Sequence, residues 1–326
     1  MKESKQQILV VFEGALDNMV RMLAPARQIR EFHKGARITL LTDEMFEPLL
    51  KHCPYFNAVE PTLTQTAGKG FFDRLKAARA APFDYIYDLA GTSATQKIKR
   101  VARFSKTKWI DASIGSDIEQ HPLEGLAKKL SEAGLGGQDQ YLLGQAPAPD
   151  LEWVDFVAKR SRTLDPAYFG LHDKYALFAP AGEESPPATR WPKEKWASLA
   201  HQLIETGVEP VIIGGPTTRD IGRYVAHVTP GARDLTGRAN LVQLAGLGRL
   251  SQCAFGENVP LLHLLVAAGS PAVLFHPGDS APIYTAPRGP RPTILMHAPI
   301  LAQISPQEAV QAMRCAGGFD RGINAA

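Results

Sequence analysis

The stretch CAFGENVPLLHLLVAAGSPAVLF, residues 253–275, decides the fold. A short apolar run, CAFGE (253–257), enters a turn. The spacing then predicts a helix over 261–269 and a second apolar strand, PAVLF (271–275). Continuous apolar runs of this length suit strands covered on both faces. Nucleotide-binding α/β domains place their ligand outside the carboxyl end of such a strand. Here the turn reads Glu257-Asn258-Val259-Pro260, followed by His263. Val259 lacks the hydroxyl with which a Ser or Thr would hold a phosphate, so the tip looks poor in ligand groups.

The same alternation runs outward in both directions. Strands are expected at ILVVF (8–12), ITLLT (38–42), 57–60, FDYIYDLAG (83–91) and KWIDAS (108–113). Helices are expected up to His33 and over TSATQKIKRVARF (92–104). After the Pro/Ala-rich spacer GQAPAPD (144–150), a helix over 151–161 leads to a second series. YALFAP (175–180) and EPVIIGG (209–215) read as strands, with a helix over 193–206 between them. Beyond them come a helix from about 217, DLTG (234–237), a helix over 240–250, and TILMH (293–297). Ser305 and Pro306 start a last helix as cap and first residue. Strand–helix alternation implies α/β architecture, with two doubly wound parallel sheets. The expected boundaries are 1–160, 161–305, and a terminal helix and tail over 306–326. Two such domains place a ligand in the cleft between them.

Composition narrows the class. The chain has 326 residues, 44% hydrophobic and 21% charged, with a net charge of +3, so a nucleic-acid partner is not indicated. Cys53, Cys253 and Cys315 form no CxxC pair, which argues against a zinc site or a disulfide framework. The apolar run after MKESKQQ is too short for a signal-peptide core. A cytoplasmic protein is expected, with room for peripheral contact at the inner membrane through basic and apolar surface.

Each candidate site has a plain structural reading beside it. In FEGALDNMV (12–20), Glu13 or Asp17 at a strand end suits a general base, yet Asp17 or Asn18 equally suits a helix cap. APAGEESPPATRWPKEKW (179–196) offers Gly182, Thr189, Arg190 and a helix N-terminus to a phosphate, or is a Pro-rich loop anchored by Trp191 and Trp196. In VIIGGPTTRD (211–220), the Gly214-Gly215 turn admits a ligand, or is a tight turn with Thr217 or Thr218 as cap. His263 is a ligand contact or a structural histidine. Lys69, Arg74, Lys97 and Arg100 suit an anionic acceptor, or are solvated helix faces. GxGxxG is absent from both halves, which speaks against a dinucleotide oxidoreductase.

Together, in order and spacing, ILVVFEGALDNMV, FDYIYDLAG, APAGEESPPATRWPKEKWASLAHQL, VIIGGP, DLTGRANLVQLAGL and FGENVPLLHLLVAAGSPAVLFHPGD resemble glycosyltransferase family 9, the ADP-heptose:lipopolysaccharide heptosyltransferases. The resemblance implies a GT-B fold of two Rossmann-like domains, acceptor on the first and nucleotide sugar on the second. It implies inverting transfer without a metal or other cofactor; ADP-heptose would be a substrate. The family carries its base in a Gly-Asp pair after the first strand. Here the pair reads Asp17-Asn18, which puts an amide at the base position; Asp17 serves after a one-residue shift, with Glu13 as a weaker substitute. The family's Lys before Trp-Pro is Thr189 here, beside Arg190. Its Asp-Ser/Thr-Gly is Asn258-Val259-Pro260, with His263 kept. Thr236 and Glu257 join the expected donor side. The reading is therefore a transferase moving a sugar, heptose among the options, from a nucleotide diphosphate to an anionic saccharide or lipid-linked acceptor of the cell envelope. The alternative is a non-catalytic relative that binds a glycan, a nucleotide or a protein.

Overall fold

The apolar runs form strands at the expected places in a computed structural model. It describes residues 5–62, 83–93, 95–96, 99, 106–113, 121–136, 142, 144–172, 174–257, 260–278 and 285–318. Two units divide the chain, Met1–Pro149 and Asp150–Ala326.

In the first unit the strands are β1 Gln7–Val11, β2 Arg37–Asp43, β3 Ala58–Thr62, β4 Tyr85–Asp88 and β5 Lys108–Asp111. They pair in parallel in the order β3-β2-β1-β4-β5. Ile8, Val10 and Ile38 are completely buried, which is why these strands read as unbroken apolar runs. The helix Leu16–Phe32 follows β1 and buries Met19, Met22, Leu23, Ala26 and Ile29. Neither Asp17 nor Asn18 caps it. The cap is Ala15, with no side-chain bond, while Asp17 and Asn18 both accept from Arg21 one turn on, at 2.6 and 2.8 Å. Most of the helix expected over 92–104 lies outside the described residues.

The second unit holds β6 Tyr175–Ala179, β7 Glu209–Ile212, β8 Arg233–Asp234, β9 Cys253–Gly256, β10 Ala272–Pro277 and β11 Thr293–Ala298. All pair in parallel, in the order β11-β10-β9-β6-β7-β8. The helix expected over 151–161 shrinks to Val154–Ala158, followed by 3-10 turns at Arg162–Leu164 and Pro166–Phe169. This segment belongs to the second unit. Leu151 donates its N–H to Ala267 O at 2.9 Å, and Asp155 pairs with Arg249 at 2.8 Å. The division therefore falls after Pro149, earlier than the expected 160.

Two helices of this unit begin with reciprocal caps that satisfy their first N–H groups: Asn240 with Gln243, and Ser305 with Glu308. The second is the cap expected at Ser305. Its helix, Pro306–Cys315, packs Ala309, Ala312 and Met313 into the same core as the sheet. At the centre of that core Trp191 meets Trp196 and Phe275, at ring separations of 5.0 and 4.7 Å. Both tryptophans are buried, as the anchoring reading expects. Cys53 and Cys253 are buried and Cys315 is exposed. Among the described residues no helix is long and apolar enough to cross a membrane.

Trp196 also packs on Phe178 at 5.0 Å. Truncation leaves a cavity with rigid walls of sheet and helix. Trp196→Ala should therefore cost about 3–5 kcal/mol, read as a lowered urea midpoint with an unchanged slope.

Candidate functional site

Each sheet has a topological switch point, where the chain leaves one side of its first strand and resumes on the other. In the first unit it lies between β1 and β4, and in the second between β6 and β9. Strand ends separate there and leave a crevice at the carboxyl edge.

At the second unit's switch point a buried carboxylate joins two strand ends. Glu257 follows β9 and is 7% exposed. Its carboxylate accepts the backbone N–H of Ala181, beyond β6, and of Trp191. One side chain thus ties both ends of the 181–191 loop to β9. Burial pushes its pKa up to about 7, against the opposing pull of those two N–H groups and of Arg190. Arg190 is half-buried beside it and is the cation of the loop. The helix Lys193–Glu205 then starts at Pro192 without a side-chain cap. Lys195 donates its N–H to Pro192 O at 2.9 Å, so the Lys193 and Glu194 N–H groups and the positive dipole end are the ones that suit an anion.

The neighbouring loops are locked to this one. Glu183 donates its N–H to Thr217 O at 3.1 Å. A Cβ on Gly182 would lie 2.3 Å from Thr217 Oγ1, so only glycine permits this approach. Gly214 has φ +146°, and a Cβ there would meet Thr218 Oγ1 at 2.2 Å. Its carbonyl accepts the N–H of Gly237 at 2.8 Å. Thr218 does not cap its helix; its hydroxyl donates back to Gly215 O at 3.0 Å. Around Gly215 no atom would come within 4 Å of a Cβ, which leaves open space beside the turn. The expected donor residues Gly182, Arg190, Gly214, Gly215 and Glu257 therefore lie on linked loops.

Others on that side hold structure. Thr189 donates its hydroxyl to Pro186 O at 2.8 Å, and Thr236 donates its own to Asp234 Oδ1 at 2.7 Å. His263 is buried in the helix Pro260–Ala267. Asn258 and Val259 lie outside the described residues, as do Lys69, Arg74, Lys97 and Arg100.

The first unit's carboxyl edge is lined with carboxylates. Asp43, Asp88 and Asp111 end β2, β4 and β5, and Glu13 follows β1. Asp111 is tied to Ser113 and Gln96; despite burial, these hydrogen bonds and Lys99 lower its pKa. Asp88 Oδ1 accepts from Ala90 and Gly91 N–H at 3.1 and 2.9 Å. Asp43 accepts from Gly14 N–H at 3.1 Å. Glu13 makes no hydrogen bond or ion pair among the described residues. Burial, and then the charges of Asp43 and Asp88, raise its pKa. Asp43 and Asp88 were not singled out from the sequence. The signal for Asp88 was its place at the end of FDYIYD, before a glycine turn, but only the sheet order brings it beside β1.

A cavity of about 810 Å³ lies at the opposite end of the second sheet, lined by His172, Lys174, Glu209, Arg233 and Arg238 among others. Glu209 and Arg233 begin β7 and β8 and pair with each other at 2.8 Å. This amino edge is not where sheets of this type hold nucleotides.

Glu257 links the site to stability. Its native pKa of about 7 exceeds its ordinary 4.5, so the folded chain holds the proton more tightly than the unfolded one. The stability it contributes is complete below pH 4.5 and is lost as pH rises to about 7, up to about 3 kcal/mol. Denaturation at a series of pH values should show this slope in the wild type and lose it in Glu257→Gln. Parallel curves would refute the shift.

Comparison with known proteins places the chain. Residues 141–312 match the family model described as glycosyltransferase family 9 (heptosyltransferase). A lipopolysaccharide heptosyltransferase 2 of Salmonella typhimurium is 29% identical over 138 residues, 40% of this chain and 39% of that protein. The matched segment thus spans well under half of that relative. A family 9 glycosyltransferase from Veillonella parvula superposes with a TM-score of 0.78 at 16% identity, covering 98% of this chain and 99% of that one. An E. coli heptosyltransferase solved with ADP superposes at 0.73 with 16% identity, covering 95% and 100%. The fold is therefore GT-B, with two Rossmann-like domains. The chain belongs to glycosyltransferase family 9.

Proposed function

We propose that the chain transfers a sugar, heptose first among the candidates, from a nucleotide diphosphate to a lipopolysaccharide-type acceptor, with inversion. The observation that carries this reading is the loop 181–191, pinned at both ends by Glu257 and leading to an uncapped helix N-terminus. That is a frame for an anion, and the family match extends over it. The E. coli relative solved with ADP supports a nucleotide as the ligand.

The C-terminal unit then holds the donor. The Lys193 and Glu194 backbone N–H groups and the Arg190 side chain would face the charge that grows on the leaving diphosphate, while the Lys193 ammonium lies over the Tyr224 ring at 4.7 Å. Gly182 and the Gly214-Gly215 turn keep side chains out of the way, and Gly214 sits in a conformation that favours glycine. Thr189 and Thr236 support the loops through their hydrogen bonds. Asn258 and Val259, next in sequence after Glu257, are the remaining donor-side candidates, while His263 is buried in the helix that follows them. No cofactor is invoked, since the nucleotide sugar is a substrate. The N-terminal unit takes the acceptor: Lys69, Arg74, Lys97 and Arg100 would meet an anionic saccharide or lipid-linked glycan, and inner-membrane contact would be peripheral. A carboxylate after β1 takes the acceptor's proton.

Calorimetry with ADP, UDP, GDP and ADP-heptose tests the donor side. ADP-heptose and ADP should bind, and Arg190→Ala should weaken both by about tenfold or more, the size of one charge-assisted contact. A folded chain that binds none of the four supports the non-catalytic reading.

A further inference from the structure

We propose that Glu13 is the general base of this transfer and replaces the carboxylate that the family pattern expects at position 18. The proposal rests on the transferase reading above. Three observations carry it. First, the expected alternative is occupied: Asp17 is bound to Arg21 at 2.6 Å, and the Arg21 side chain is only 8% exposed. The Asp17 carboxylate is held on that guanidinium rather than presented to a substrate. Asn18, on the same guanidinium, is an amide. Second, Glu13 sits at the switch point. Val11 pairs with Asp88 across β1 and β4, and Glu13 lies two residues past Val11. Third, Asp88 is completely buried there, and its Oδ2 has no hydrogen-bond partner. That leaves an unsatisfied acceptor buried directly beneath the switch point. Glu13's own burial, then the charges of Asp43 and Asp88, favour a proton on it.

The chemistry balances. The acceptor hydroxyl oxygen forms a bond to the anomeric carbon as the bond from that carbon to the diphosphate oxygen breaks. The nucleoside diphosphate leaves with the bonding electrons. The acceptor's proton passes to the Glu13 carboxylate and then to water. A base works best when its pKa is near the working pH. Burial, Asp43 from β2 and Asp88 from β4 all move Glu13 that way, while the 16–32 helix presents Asp17 neutralised by Arg21. Among the described residues no three His, Cys, Asp or Glu side chains are placed to hold a metal ion, so this acidic rim is not read as a cation site.

The test follows transfer from ADP-heptose to heptose-deficient rough lipopolysaccharide in the full chain. Glu13→Gln should lower kcat by about 100-fold or more, while calorimetric affinity for ADP stays within about twofold. In the wild type, the rate should fall as pH drops through a pKa raised above glutamate's ordinary value. Asp43→Asn should move that limb to lower pH, a shift that a merely structural role would not give and that remains measurable if Glu13→Gln folds poorly. A wild type that transfers no sugar overturns the transferase reading and this role with it. A wild type that transfers while Glu13→Gln matches it, or an acidic limb unmoved in Asp43→Asn, overturns Glu13 alone. A larger loss in Asp17→Asn than in Glu13→Gln also overturns it and assigns the proton to Asp17.

Discussion

The 181–191 loop depends on one buried carboxylate. Glu257 is almost without solvent, yet it takes two backbone N–H groups from residues ten apart, Ala181 and Trp191. Burying a carboxylate is costly unless its lone pairs are met. Here they are met by N–H groups that would otherwise be orphaned at the edge of a core. The loop between these anchors carries three prolines or glycines and little regular structure, so it cannot set its own shape. β9 sets it instead. The glycines at 182 and 214 follow from the same closeness, since Thr217 and Thr218 occupy the space that a Cβ would need.

The two switch points use carboxylates in opposite ways. In the C-terminal unit the carboxylate is inside the protein, satisfied by backbone and structural. In the N-terminal unit Glu13 is only half-buried, without an ion-pair partner among the described residues, and crowded by like charge. A structural glutamate would gain from a partner, and Arg21, eight residues on, is bound to Asp17 and Asn18 instead. The chain therefore keeps one carboxylate neutralised and another unpaired within five residues. That asymmetry has a chemical use where a proton must be taken, and no evident packing use.

Much of the fold was legible because both sheets are parallel and covered. ILVVF, YALFA and AVLF are continuous apolar runs, and only buried strands require that. Ser305 with Glu308 was readable as a cap for the same local reason. The site was less so. Capping and ion pairing compete for Asp17 in sequence; the i,i+4 partner Arg21 was in view but its burial was not. Glu257 looked like a ligand contact because it borders the turn, whereas its role comes from pairings to residues 66 and 76 positions away. Thr236 likewise is claimed by Asp234, two residues before it. Contacts far apart in sequence follow from sheet order, and local pattern does not carry them.

The most direct measurement is a crystal structure of the full chain with ADP. The account predicts the diphosphate at the carboxyl edge of the second sheet, against the Ala181–Arg190 loop and the first turn of the Lys193–Glu205 helix, with the Arg190 guanidinium on a phosphate oxygen. ADP in the amino-edge cavity beside Lys174 and Arg233, or a diphosphate without contact to the 181–191 loop, would contradict it.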